Sequence, residues 1–293
     1  MSTGCAARIL ILGASGFLGG HVYRQLQGKP ELQVMGTSRS QALAGLVPLD
    51  VLEREQVAAL VAEFQPTAVL WAVKAAHTQD GPPDESPLID QGLRSVLAAV
   101  PPSAHLVFVS SDAVFGRGRG RYREDDPPEA HAAGSPTAAY AAAKVRGEAA
   151  VQRRRGHWAI VRVGPLYGPS TSGLWDRRTA AIVRELRGEG HSVARAPDLV
   201  KSFVRVEDAA QVLAHVLVAE VPGILHMAAG PASFYELAVA VAEASGYPAS
   251  RVRPEPAAGG ALLVPRDTSL VTERAPLVAR GRQRLDFSDL SPD

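Results

Sequence analysis

The chain has 293 residues, with 31 Lys and Arg against 30 Asp and Glu, 46% apolar residues and 21% charged ones. That balance excludes a disordered chain and argues against a general binder of nucleic acid, which would carry a basic excess. The single cysteine, Cys5, excludes an internal disulfide and a cysteine zinc site, and no apolar run approaches the roughly 20 residues of a membrane helix.

The first predicted element is a strand over 8–12, apolar and closed by Gly13. A helix over 17–26 follows, with Phe17, Leu18, Val22 and Leu26 at helical spacing. Strands are predicted over 32–37 and 46–50. A helix over 53–64 sets Val57, Leu60, Val61 and Phe64 on one face, and Pro66 closes it. Continuous apolar runs over 68–73 and 105–110 read as strands buried on both faces. An alanine-rich helix covers 137–155 and a strand 158–163. Beyond Gly164 the chain becomes rich in glycine and proline. A helix near 207–219, a strand over 224–228 and a helix over 233–245 come next, and 247–265 reads as irregular. Strands alternating with helices predict an α/β fold: a Rossmann-type doubly wound parallel sheet with a smaller, loop-rich C-terminal substrate lobe. Residues 1–164 are assigned to the dinucleotide-binding domain and 165–293 to the substrate-binding lobe, partly interleaved with it.

Gly13-Ala-Ser-Gly16-Phe-Leu-Gly19 lies between the first strand and the first helix. Gly13 lets the chain turn off the strand. Gly16 leaves room for a pyrophosphate against the backbone, and Gly19 lets the helix pack close to the sheet. The helix N-terminus then holds the phosphates. The second strand runs out through Ser38, Arg39 and Ser40, with no acidic residue to bind a ribose 2′-hydroxyl. Arg39, with Ser38 and Ser40 as further donors, suits a 2′-phosphate, so NADP(H) is favoured over NAD(H). Asp50 has two readings, a partner for the adenine amino group or a cap for the next helix.

Tyr140 and Lys144 stand four residues apart in the alanine-rich helix, which puts both side chains on one face. An ammonium beside a phenol stabilises phenolate, and the expectation is a Tyr140 pKa below the free value near 10. Such a phenol exchanges a proton with a carbonyl or alcohol. Lys144 also suits a nicotinamide ribose. Ser110-Ser111-Asp112 ends the fifth predicted strand, where ligands of open α/β sheets bind; a hydroxyl there suits a substrate oxygen, or serves as a cap.

Together these segments resemble the extended short-chain dehydrogenase/reductases, and within them the dTDP-4-dehydrorhamnose reductase-like, sugar-nucleotide branch. The residues that carry the resemblance are the apolar strand and glycine turn over 9–19, Val107-Phe-Val-Ser-Ser-Asp-Ala-Val-Phe-Gly116, Pro136-Thr-Ala-Ala-Tyr-Ala-Ala-Ala-Lys144 with Gly147-Glu148, and Arg162-Val-Gly-Pro-Leu-Tyr-Gly168. Phe203-Val-Arg-Val-Glu-Asp-Ala-Ala210, Gly223-Ile-Leu-His-Met-Ala228 and Pro265-Arg-Asp-Thr-Ser-Leu270 extend it over nearly the whole chain. The resemblance implies a catalytic set of Ser111, Tyr140 and Lys144. It places the dinucleotide along Gly13, Ser15, Gly16, Phe17, Leu18 and Gly19. Ser38, Arg39, Asp50, Val51 and Ala72 complete that site, with Tyr140 and Lys144 at its nicotinamide end. Substrate contacts are expected from Ser111, Asp112, Tyr140, Trp175 and Lys201, the last where relatives carry a diphosphate-binding arginine.

The chain departs from the family pattern after the fourth strand, where Trp71-Ala-Val-Lys-Ala-Ala-His77 replaces small residues with an asparagine, and at Val264, where the branch often has arginine. The expected function is NADPH-dependent reduction of a ketone, the 4-keto group of a deoxysugar nucleotide. Two alternatives stay open: an NAD(P)-dependent sugar-nucleotide epimerase or dehydratase, and a non-catalytic dinucleotide-binding regulatory subunit. The arginines of the Arg117–Arg123 stretch read as a solvated loop rather than a nucleic-acid element, and no metal site is expected. A small-molecule partner and no nucleic acid or membrane are expected, a homodimer is left open, and the location is expected to be cytoplasmic.

Overall fold

In the computed structural model β1 (Ala7–Leu12) divides its side chains between two environments. Ile9 and Ile11 enter one apolar cluster and Leu10 and Leu12 another. Alternation of this kind is what a strand must do when both faces of its sheet are covered. The structure describes residues 7–39, 45–75, 84–188, 190–257, 263–274 and 285–290. Cys5, Ser40 and His77 lie outside them.

The chain continues through α1 (Phe17–Leu26), β2 (Leu32–Ser38), β3 (Leu46–Pro48), α2 (Arg54–Phe64) and β4 (Ala68–Trp71). A wide helical turn over Leu88–Leu93 leads into α3 (Arg94–Ala99), followed by β5 (His105–Ser111), α4 (Ala138–Gln152) and β6 (Trp158–Val163). Then come β7 (Leu166–Tyr167), α5 (Arg177–Leu186), β8 (Val193–Arg195), β9 (Val200–Lys201), β10 (Val204–Arg205), α6 (Val206–Val218) and β11 (Gly223–Met227). β12 (Ala232–Ser233), α7 (Phe234–Ala244) and β13 (Val252–Pro254) follow.

Seven strands form one parallel sheet in the order β3–β2–β1–β4–β5–β6–β11. The chain leaves β1 for β2 on one side and returns to β4 on the other, so the switch point lies between β1 and β4, where open sheets bind ligands. One face is covered by α1 and α6 and the other by α2, α3 and α4. The doubly wound reading of the sequence is borne out. β11 and α6, late in the chain, belong to this body. The lobe gathers α5, α7, β8 and β13 around Ile182, Leu186, Phe203, Leu237 and Val241, with Phe287 packed against them. Among the described residues no helix is long and apolar enough to cross a membrane.

Two expectations need correction and a third is filled out. The loop-rich stretch beyond Gly164 contains α5, capped by Asp176, whose carboxylate accepts from the Arg178 and Thr179 amides at 3.0 and 3.2 Å. Its buried face is only Thr179, Ile182 and Leu186 in an arginine-rich sequence, which hides the periodicity. Residues 247–265 include β13, too short at three residues to show alternation. The arginine–glycine loop keeps its four arginines exposed, as expected, while its backbone forms a clasp. Its Gly120 and Tyr122 amides donate at 2.9 Å to the Asp267 and Ser269 carbonyls. A Cβ on Gly118, at φ +69°, would stand 2.7 Å from the Arg266 amide nitrogen, so glycine admits the C-terminal segment. Arg119 lies over the Tyr122 ring and pairs with Asp126 at 2.5 Å.

Candidate active site

The glycine turn is shaped for an anion. Gly13 has φ +88°, and a Cβ there would meet the Ala72 carbonyl oxygen at 2.8 Å. The turn is thus pressed onto the end of β4, and the Ala14 amide ties it to β2 through the Thr37 carbonyl at 3.0 Å. A Cβ on Gly19 would lie 2.2 Å from the Gly13 carbonyl oxygen. Its close contact is therefore with the turn itself, rather than with the sheet as expected. Gly16 is the N-cap of α1, exposed, and a Cβ there would meet only the Gly13 carbonyl oxygen, at 3.2 Å. No side chain caps α1 and no acidic residue sits in its first turn. Open space in front of uncapped amides fits a pyrophosphate. Ser15 is exposed, Phe17 half-buried and Leu18 buried.

At the end of β2, Ser38 is buried and Arg39 exposed. Asp50 does not cap α2, whose N-cap Glu53 makes no side-chain bond. Its Oδ1 accepts from the Leu52 amide at 3.0 Å and holds the turn before the helix. Val51 is buried, and a Cβ on Gly92 would stand 3.1 Å from its Cγ2, so Val51 ties this turn to the Leu88–Leu93 segment.

At the other end, α4 lies tightly on β5. A Cβ on Gly147 would stand 2.5 Å from Cζ of Phe108, and only glycine permits that approach. Ala143 packs into the core, so the small residue there serves helix packing. Glu148 pairs with buried Arg162 at 2.8 Å and accepts from the Ser110 hydroxyl at 2.6 Å. Ser110 is thereby spent on structure, and Ser111, whose hydroxyl also accepts from the Ala113 amide at 3.2 Å, is the strand-end hydroxyl beside Tyr140.

Ser111, Tyr140 and Lys144 converge. The Lys144 ammonium lies 5.6 Å from the Tyr140 ring centroid, and a Ser111 hydrogen bond favours the Tyr140 phenolate. Lys74, just after β4, places its ammonium 5.6 Å from the same ring. The sequence reading missed Glu85. It is fully buried, and its Oε2 lies 2.9 Å from Lys144 Nζ. The consequence overturns one expectation. Burial pushes the Tyr140 phenol above its ordinary value, and Glu85 and Asp112 add to the rise, while Lys144 and Ser111 pull the other way. Burial by itself would lower Lys144, yet Tyr140, Glu85 and Glu148 hold it above its ordinary value. No local pattern links Glu85 to Lys144. The only signal was an acidic residue near the start of a helix whose partners lie across the fold.

Asp112 and Lys201 do not stand free for a substrate. The Thr268 hydroxyl donates to Asp112 Oδ2, Lys201 Nζ donates to Thr268 at 2.6 Å and lies 3.5 Å from Asp112 Oδ2, and Ser111 donates to Asp112 Oδ1 at 3.1 Å. This buried chain ties the end of β5 to β9 and to the C-terminal segment. Trp175 packs beside Phe287 with 5.7 Å between ring centroids, under the Arg205 guanidinium, at the edge of the lobe core. The α5 arginines, absent from the expected set, are nearer the chemistry. Arg177 and Arg178 both act on Lys74, and Asp112 acts on Arg178.

Comparisons with known proteins agree with this architecture. The RmlD substrate binding domain family matches residues 7–277. The dTDP-4-keto-6-deoxy-D-glucose reductase of Streptomyces niveus is 32% identical over 273 residues, 90% of this chain and 88% of that protein. Methionine adenosyltransferase 2 subunit beta of Rattus norvegicus is 27% identical over 257 residues, 84% of this chain and 75% of that protein. A dTDP-4-dehydrorhamnose reductase of Bacillus anthracis, solved in complex with NADP, has the same fold, with a TM-score of 0.72 at 23% identity over 94% of this chain and 93% of that one. Matched along almost all of its length, with the glycine turn and the Ser/Tyr/Lys set in place, the chain belongs to the RmlD substrate-binding domain family, the dTDP-4-dehydrorhamnose reductase-like branch of the extended short-chain dehydrogenase/reductases.

Proposed function

We propose that the protein reduces the 4-keto group of a deoxysugar nucleotide and prefers NADPH. The observation that carries this is the convergence of Ser111, Tyr140 and Lys144 at the C-terminal end of β5. The Gly13–Gly19 turn and the first turn of α1 would hold the pyrophosphate, Ser38 and Arg39 a 2′-phosphate, and Lys144 the nicotinamide ribose. When bound, the reduced nicotinamide supplies hydride to the carbonyl carbon. Tyr140 gives its phenolic proton to the carbonyl oxygen. Ser111 turns its hydroxyl from Asp112 to that oxygen and orients it. Lys144 then stabilises the phenolate left behind. The preference for NADPH rests on an exposed Arg39 and the lack of an acid at the end of β2. We assign the substrate's diphosphate to Arg177 and Arg178 rather than to Lys201, which Asp112 and Thr268 already occupy.

The test is turnover of NADPH with dTDP-4-keto-6-deoxyglucose and related keto-sugar nucleotides, in wild type and Tyr140→Phe. Oxidation of NADPH by wild type alone supports the assignment. A second reading, a dinucleotide-binding subunit of another enzyme, is favoured by the likeness to the rat subunit. NADPH binding without turnover of any ketone in the panel would put that reading first.

A further inference from the structure

The catalytic helix carries a second charge partner that the Ser/Tyr/Lys chemistry does not itself require. Glu85 is fully buried, on the segment leading into the Leu88–Leu93 turn, across from α4. Its Oε2 stands 2.9 Å from Lys144 Nζ, and its Oε1 is buried with no hydrogen-bond partner among the described residues. Lys144 is itself buried, over the Phe108 ring, with one further contact to the Val109 carbonyl oxygen at 3.4 Å. A buried carboxylate is costly unless it is paired, and here it pairs with the lysine that faces Tyr140 and acts more weakly on Lys74.

We propose that Glu85 is a positioning residue of the reduction. Its carboxylate holds the Lys144 ammonium against the Tyr140 ring and offsets that positive charge, keeping the phenol in its protonated, proton-giving form. The inference rests on the reading of Tyr140 as the acid. A lone ammonium beside a phenol favours phenolate, the form a base needs for oxidising an alcohol. A reductase needs the phenol. An ion pair in place of a lone ammonium weakens the pull on the phenolic proton and leaves the lysine in position to stabilise the phenolate once the proton has gone. The other charged and polar groups facing Tyr140 are Lys74 from the end of β4, and Ser111 and Asp112 from the end of β5. Glu148 faces Lys144 from its own helix, but its carboxylate is engaged by Arg162 and Ser110. Among the described residues Lys74 is the further cation beside the ring, and Glu85 acts on it together with Arg177 and Arg178 of α5.

The test reads the phenol directly. Ultraviolet difference titration of wild type against Tyr140→Phe isolates the ionisation of Tyr140 in the cofactor-free protein. Glu85→Gln keeps the shape and removes the charge, and the Tyr140 titration is expected to move to lower pH by about one unit, the scale of one neighbouring charge. Glu85→Asp keeps the charge but draws it back by one methylene. It is expected to move the titration the same way by less, and it carries the test if Glu85→Gln does not fold. Where turnover is measured, the pH at which reduction falls should move down with the titration. A Tyr140 titration unmoved or raised in the folded variants overturns the proposal. If Tyr140→Phe retains wild-type turnover, the reading of Tyr140 as the acid fails instead, whatever the titration shows.

Discussion

The glycine turn follows β1 and Ser111 ends β5, at the same edge of the parallel sheet with β4 between them, but the turn and the Ser111–Tyr140–Lys144 cluster are built by different means. The turn is local. Gly13 and Gly19 are required by backbone a few residues away or by the end of the neighbouring strand, as the 2.2 Å approach at Gly19 and the 2.8 Å approach at Gly13 show. The cluster is assembled from distant parts of the chain. Glu85 meets Lys144, and Asp112 joins Ser111 to Lys201 and Thr268. A local site fails as a unit when its backbone is obstructed. A composite site is tuned by each partner separately, so its defects appear as altered proton affinity or a loosened lobe before binding is lost.

The largest effect should separate the two ends outright. Tyr140→Phe is expected to lower turnover by at least about 100-fold, the scale of a lost general acid, while leaving dinucleotide affinity near wild type. Steady-state kinetics and a fluorescence titration with NADPH check both halves. The complementary change is Gly16→Val. Its side chain would fill the open space before α1, abolishing dinucleotide binding without loss of the fold, as circular dichroism and the same titration would report. Tight NADPH binding by folded Gly16→Val would remove the turn from the site and end the comparison.

Arg39→Ala sharpens the cofactor end. Loss of a charge-assisted contact should weaken NADPH by about 1–3 kcal/mol, and NADH hardly at all. Equal weakening of the two dinucleotides would place Arg39 away from the 2′-phosphate.

The pH profile needs a baseline of fold stability. Burial pushes His105 down to about 4 from an ordinary 6.5, and burial with the Arg162 charge does the same to His226. A base whose pKa is lower in the folded state binds fewer protons there than in the unfolded chain. The stability it contributes is therefore full above about 6.5 and is lost as pH falls toward about 4. At pH 5 the loss should be on the order of 2 kcal/mol per histidine. Urea midpoints at pH 7 and pH 5 measure it, and a midpoint that does not fall between them contradicts the burial of these rings as neutral groups. Reduction rates are thus to be compared above pH 6.5, where this loss is absent.

The smallest effect concerns the C-terminal clasp. Thr268→Val removes the hydroxyl between Asp112 and Lys201, and leaving those groups short of a partner should cost about 1–3 kcal/mol in urea unfolding at pH 7. A neutral Thr268→Val would mean that the Asp112–Lys201 ion pair holds the lobe by itself.

How much was legible follows from how far each interaction reaches. Strand alternation, helix spacing, the glycine triplet and the four-residue step from Tyr140 to Lys144 are set by the backbone's own periods and by sterics within a turn or two, so the sequence by itself determined the doubly wound sheet, the tight glycine turn and the pairing of phenol with ammonium on α4. It also carried Ser111 to the end of β5. Short pieces such as α5 and β13 stayed hidden because few of their residues face a core. What only the tertiary structure decided is the charge state of the chemistry. Electrostatic coupling depends on distance and burial, not on separation along the chain. The approach of Glu85 to Lys144, the raised Tyr140 and the engagement of Asp112 and Lys201 with Thr268 therefore came into view only when strands and loops remote in sequence were folded against one another.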